Sequence, residues 1–124
     1  MSGKLNILVV DDKKIIGDLF DFTLGYSGHA ITVVDKAQAA YEAVKGQNFD
    51  IAFVDIVMPE QDGVDVLKEL KHLSPQLPVV MMSGYSVEDK KKSASALGAV
   101  ACLKKPFDID EVRALIKSVL NKEV

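Results

Sequence analysis

A single cysteine, Cys102, is all the thiol in this 124-residue chain, so an internal disulfide is excluded and the fold has to hold by packing alone. No stretch near Met1 has the charged-then-apolar order of an export leader, and no apolar run is long enough to read as a membrane span. Low-complexity segments and internal repeats are missing too. Positive charge is in short supply: 15 Lys and Arg face 18 Asp and Glu, a net charge of -3, which argues against broad affinity for nucleic acid or an anionic membrane. Neither a P-loop nor a GxGxxG turn is present to cradle a nucleotide. These absences lead us to expect a reduced, cytoplasmic, soluble protein with no direct nucleic-acid or membrane contact.

What the chain does have is apolar residues, 48% of the total, enough for one ordinary domain spanning 1–124. Short apolar runs at Leu5 to Val10, Ala30 to Val34, Ile51 to Val54, Val79 to Met82 and Val100 to Leu103 read as buried strands. Between them, 13–26, 37–46, 63–73, 87–97 and 109–121 place apolar residues at helical spacing. Gly28, Gly46 and Gly98 follow the predicted helices, and Ser86 with Asp89 and Asp108 with Glu111 have capping-box spacing. The alternation predicts an α/β fold of five βα units, with a parallel sheet and right-handed crossovers.

Polar residues stand where the apolar runs stop: Asp11 and Asp12 after NILVV, Asp55 after IAFV, Ser83 after VVMM, Lys105 after VACLK. Read singly, each punctuates a strand end. Read together on a parallel sheet, they converge on one rim and build one site. Three carboxylates brought together repel one another unless a cation compensates, and Mg2+ suits a few carboxylates with water left in its shell. Given such an ion, an ionised carboxylate can attack a phosphoryl group. Asp55 stands alone after its strand and is the preferred nucleophile; Lys105 supplies positive charge and Ser83 a hydroxyl donor. Asp12 would hold the metal, with Asp11 acting through water. Lys13 and Lys14, just after the acidic pair, read as the solvated start of a helix, with a lowering of the site's negative potential as the second reading, and Cys102 as a small buried hydrophobe. His29 and His72 have no ligand spacing.

The sequences VVDD at 9–12, DIVMPEQDG at 55–63, SG at 83–84 and KPF at 105–107 resemble the receiver domain of bacterial two-component response regulators over the whole chain. The resemblance implies a flavodoxin-like (βα)5 three-layer sandwich with strand order 2-1-3-4-5, and a function as the phospho-accepting module of a signalling or phosphorelay system. Asp55 would take the phosphoryl group from a sensor histidine kinase or phosphotransfer protein, with Mg2+, or Mn2+ in its place, held by Asp11, Asp12, Asp55 and the backbone carbonyl of Val57. Ser83 matches the family's hydroxyl switch, Lys105 its lysine and Pro106 its cis-proline. Met58, Pro59 and Gly63 match the loop that leads out of the acceptor strand. Cys102 departs from the pattern, standing where Tyr or Phe often rotates in response to phosphorylation.

The resemblance also implies that Val57 and Tyr85 stand where the family's polar residues assist hydrolytic water, so their apolar or bulky side chains predict a long-lived acyl phosphate. On the first helix, Ile15, Phe22 and Tyr26 fall beside the core stripe, either as contacts for a kinase's helical hairpin or as helix packing within the monomer, while the run from Glu88 to Lys92 reads as a solvated face, with an output surface second. The expected protein is not a turnover enzyme; it would act as a monomer or a phosphorylation-dependent dimer, alone or with an effector domain outside this chain. A relay intermediate handing its phosphoryl group to a histidine is the nearest alternative. A small Mg2+-dependent phosphatase is remoter, because Val57 stands where a dehalogenase-type phosphatase would need a second aspartate.

Overall fold

The computed structural model describes residues 3–84, 88–122 and 124, with backbone alone for 88–91. The main sheet has five strands: β1 (Asn6–Val10), β2 (Ala30–Val34), β3 (Ile51–Asp55), β4 (Val79–Ser83) and β5 (Ala101–Lys104). All pairings in it are parallel and the order is β2-β1-β3-β4-β5, as the family resemblance implies. The helices are α1 (Lys14–Phe20), α2 (Ala37–Gly46), α3 (Gly63–Leu73), α4 (Glu88–Ala96) and α5 (Ile109–Leu120).

Although β1, β3 and β4 are apolar nearly throughout, their side chains still alternate between two separate cores. Leu8, Val10, Ala52, Val54, Val79 and Met81 pack against α2, α3 and α4 through Ala40, Val66, Leu67, Leu70 and Ala94. Ile7, Val9, Phe53, Val80 and Met82 pack on the other face against Phe20 and Leu24 and, from α5, Val112 and Ile116. Phe53 and Phe20 meet at 4.9 Å between ring centroids. A strand covered on both faces has no polar face, which is why alternation is invisible in its sequence. Each fully buried large side chain contributes about 1.5–3 kcal/mol, so this double core is the main source of stability.

The first helix differs from its expected form. Regular α1 ends at Phe20 and the chain continues as a π-helix over Asp21–Gly25. The Thr23 hydroxyl donates back to the carbonyl of Leu19 and, at 3.4 Å, to that of Phe20, a side-chain bond that competes with the regular ladder and bends helices. Gly28 and Gly98 leave their helices with φ of 100°, a conformation that costs other residues more. Gly46, by contrast, closes α2 as its last residue. Asp108 caps α5, its carboxylate accepting from the Glu111 N–H at 2.9 Å. Ser86 lies outside the described residues.

Between β3 and α3 the chain forms a two-stranded antiparallel ribbon, Val57–Met58 with Gln61–Asp62. Gly63 follows it, donating its N–H to the Ile56 carbonyl at 2.8 Å. A Cβ there would lie 2.1 Å from the Asp55 carbonyl oxygen and 2.6 Å from the Ile56 Cα. Only glycine lets α3 start so close to the end of β3.

Candidate functional site

The carboxyl ends of β1, β3, β4 and β5 bring the polar residues to one rim. Asp11 leaves β1 with its N–H bonded to the Val34 carbonyl at 3.0 Å, which fixes the loop over the sheet. Its carboxylate is buried; Oδ1 accepts from the Lys13 N–H at 2.9 Å and Oδ2 from Lys105 Nζ at 2.8 Å. Burial pushes the Asp11 carboxyl above the usual carboxylate range, with the Lys105 hydrogen bond working against it. Asp55 closes β3 and is also buried. Its Oδ1 accepts from the Val57 N–H at 3.2 Å, while Oδ2 lies 3.3 Å from Lys105 Nζ. Asp12 is the more open member of the cluster.

One oxygen from each of Asp11, Asp12 and Asp55 lies within 4.8 Å of the other two. A set of hard carboxylate oxygens, one of them open to solvent, fits a small hard divalent ion that keeps some of its water. Among the described residues, the cluster includes no nitrogen or sulfur ligand of the kind zinc prefers.

Lys105 is held from both ends. Its backbone N–H donates to the Ser83 carbonyl at 2.6 Å, and its side chain, 16% exposed, runs inward to Asp11 and Asp55. The Lys105–Pro106 bond is cis. Ser83 is buried, and its Oγ lies 3.4 Å from Cys102 Sγ. Because β4 runs between β3 and β5, a hydroxyl resting on Cys102 is turned toward β5, away from the acceptor strand.

One expectation is corrected here and one extended. Cys102 is exposed rather than buried, because β5 is an edge strand and the small thiol leaves an opening of about 160 Å³ beside Ala94 and Ala99. Lys13 stands half exposed at the start of α1, as expected, and is also part of the site: its Nζ reaches Asp12 Oδ1 at 3.0 Å and Asp55 Oδ2 at 3.1 Å. Burial works against the charge of Lys13, but these hydrogen bonds outweigh it and hold its pKa above the ordinary lysine value. A basic residue directly after the acidic pair was the available signal. Lys14 does extend into solvent, pairing with Asp18 at 2.9 Å.

Val57 begins the ribbon, its side chain half exposed. Tyr85, the other residue expected beside the water route, lies outside the described residues. Beside the rim, Ile15, Ile16, Leu19, Lys105, Pro106 and Phe107 line an apolar groove of about 500 Å³. Ile15, Phe22 and Tyr26 are exposed by 75%, 69% and 91%, so the surplus apolar face read from the sequence exists.

A family model described as the response regulator receiver domain matches residues 7–117. The chain belongs to that family. This receiver domain is 34% identical over 98% of its length to the transcriptional regulatory protein FixJ of Bradyrhizobium diazoefficiens, covering 60% of that protein. It is 36% identical over 93% of its length to the DNA-binding transcriptional regulator NtrC of Escherichia coli K12, covering 24% of it. The receiver domain therefore spans less than two thirds of these curated relatives. Among solved structures, the receiver domain of NtrX from Brucella abortus matches with a TM-score of 0.86 and 34% identity, over 93% of this chain and 98% of that one. A CheY-like receiver domain protein from Methanospirillum hungatei matches with a TM-score of 0.90 and 25% identity, over 96% and 95% of the two chains.

Proposed function

We propose that this receiver domain accepts a phosphoryl group on Asp55 from a phosphohistidine of a kinase or phosphotransfer protein. The observation that carries the reading is the position of Asp55 Oδ2, at the end of a buried strand, 3.3 Å from Lys105 Nζ and beside the two other carboxylates. In the transfer, a carboxylate oxygen of Asp55 bonds to phosphorus as the P–N bond breaks. The electron pair of that bond leaves on the donor's imidazole nitrogen. Lys105, anchored through its backbone to β4, meets the charge on the phosphoryl oxygens, and Ser83 turns from Cys102 to donate its hydroxyl to one of them.

Asp12, Asp55 and the backbone carbonyl of Val57 would hold a Mg2+ ion, with Asp11 acting through water; when bound, the ion neutralises the carboxylates and the incoming phosphoryl oxygens. The groove beside α1 and the exposed Ile15, Phe22 and Tyr26 are the proposed contact for the donor's helices. The domain is a stoichiometric acceptor in the cytoplasm rather than a turnover enzyme. Where relatives are named transcriptional regulators, DNA binding in this system would belong to a separate effector segment, the net charge of -3 giving this domain no general attraction for nucleic acid.

The test is incubation with acetyl phosphate and Mg2+. One phosphate per chain is expected, lost with EDTA and abolished in Asp55→Ala. Full labelling of Asp55→Ala, or multiple turnovers of a phosphomonoester, would refute the reading.

A further inference from the structure

Resting on the metal reading above, we propose that the Lys13 ammonium is a built-in counter-ion of the three carboxylates, which a divalent ion has to displace before it binds. Lys13 thereby sets the affinity of the site for metal. Its Nζ lies 3.0 Å from an oxygen of Asp12, 3.1 Å from one of Asp55 and 3.9 Å from one of Asp11. It thus touches all three members of the cluster, and the Asp12 and Asp55 contacts are hydrogen bonds. A second cation drawn to the same oxygens meets like-charge repulsion and finds lone pairs already engaged.

Lys105 and Lys13 differ in how firmly they are held. Lys105 is 16% exposed, bonded at 2.8 Å to a carboxylate with no exposure, and fixed through its backbone N–H to Ser83. Lys13 is 51% exposed, on a flexible stem whose ammonium can swing into water with little loss of packing. Lys105 is therefore the permanent positive charge of the site and Lys13 the exchangeable one. Without metal the charge of the cluster is offset in part from within; with metal, Lys13 is released to solvent and its place is taken by a group that brings more charge.

The neighbouring Lys14 is the matched control. It carries the same charge one residue on, yet is 86% exposed and bonded to Asp18. The experiment titrates the full chain with Mn2+ at one pH and ionic strength, reading free ion by electron paramagnetic resonance, for the wild type, Lys13→Ala and Lys14→Ala. Lys13→Ala is expected to bind Mn2+ about threefold to tenfold more tightly, as befits loss of two partly exposed ion pairs, and Lys14→Ala within about twofold of wild type. Melting in EDTA supplies a second measurement. Lys13→Ala should melt below the wild type without metal and gain more on saturation with Mn2+.

Unchanged or weaker Mn2+ binding by Lys13→Ala, or an equal gain in both variants, would overturn the role given to Lys13 while leaving the metal site standing. Absence of Mn2+ binding in every variant would remove the metal reading and this one with it.

Discussion

Asp50 and Asp55 bracket the same buried strand, and their carboxylates serve opposite ends. At the entrance to β3, Asp50 Oδ2 accepts from the Asn6 N–H at 2.7 Å, closing the start of β1. Beside it, buried His29 Nδ1 accepts from the Leu5 N–H at 3.0 Å. At the exit, Asp55 Oδ2 faces two ammonium groups and two further carboxylates. At the amino rim these two side chains thus turn to the backbone, each accepting from one main-chain donor. The carboxyl rim keeps like charges together and needs cations to hold them. Polar residues at strand ends become a site only when they face one another.

The largest effect that would sharpen this contrast is at the carboxyl rim. Lys105→Ala should cut the rate of acetyl phosphate labelling by about 10²–10³, the usual loss on removing one preorganised donor. It should also destabilise the fold by about 2–3 kcal/mol, below the loss for a fully buried pair because Lys13 and water remain near Asp11. Labelling kinetics and urea melts read the two together. At the amino rim, Asp50→Ala should cost about 1–2 kcal/mol, the loss of one charge-assisted bond to a backbone donor, with labelling unchanged. A labelling defect in Asp50→Ala at matched folded fraction would break the comparison.

The smallest effect is a pH dependence. Burial, and then the charge of Arg113, hold the His29 pKa below its ordinary value of 6.5. Protonation is therefore disfavoured in the folded state, and it would place a proton on or beside the acceptor of the Leu5 N–H. The stabilisation is fully present above the unfolded-state value and is lost as pH falls through it toward the lowered folded value. The wild type should lose melting temperature on going from neutral pH into this range, and His29→Gln, which keeps an acceptor, should lose less. Equal slopes in the two proteins would remove His29 from the account.

Much of this was legible along the chain. The strands begin and end within a residue or two of the apolar runs, and Asp11, Asp12, Asp55, Ser83 and Lys105 reach one rim because each closes a parallel strand. Gly63 was readable as part of a turn, though not its need to lie against the backbone of Asp55 and Ile56. The π-helix was hidden, since Ile16, Phe20 and Leu24 keep helical spacing through it. Cys102 was read by residue type, and type alone does not tell an edge strand from a central one.

What the sequence by itself determined is local or repetitive: the alternation of elements, and the chemistry of the residues that end the strands. Both follow from the hydrophobic period and from motifs written in neighbouring positions. The tertiary structure decided how charges and small groups are partnered across distance. Lys13 meets Asp55 42 positions away, Ser83 meets Cys102 19 away, and Asp50 closes a strand 44 residues before it. Such contacts depend on strand order and on which side chain turns to which neighbour, and no local pattern in a single chain encodes them.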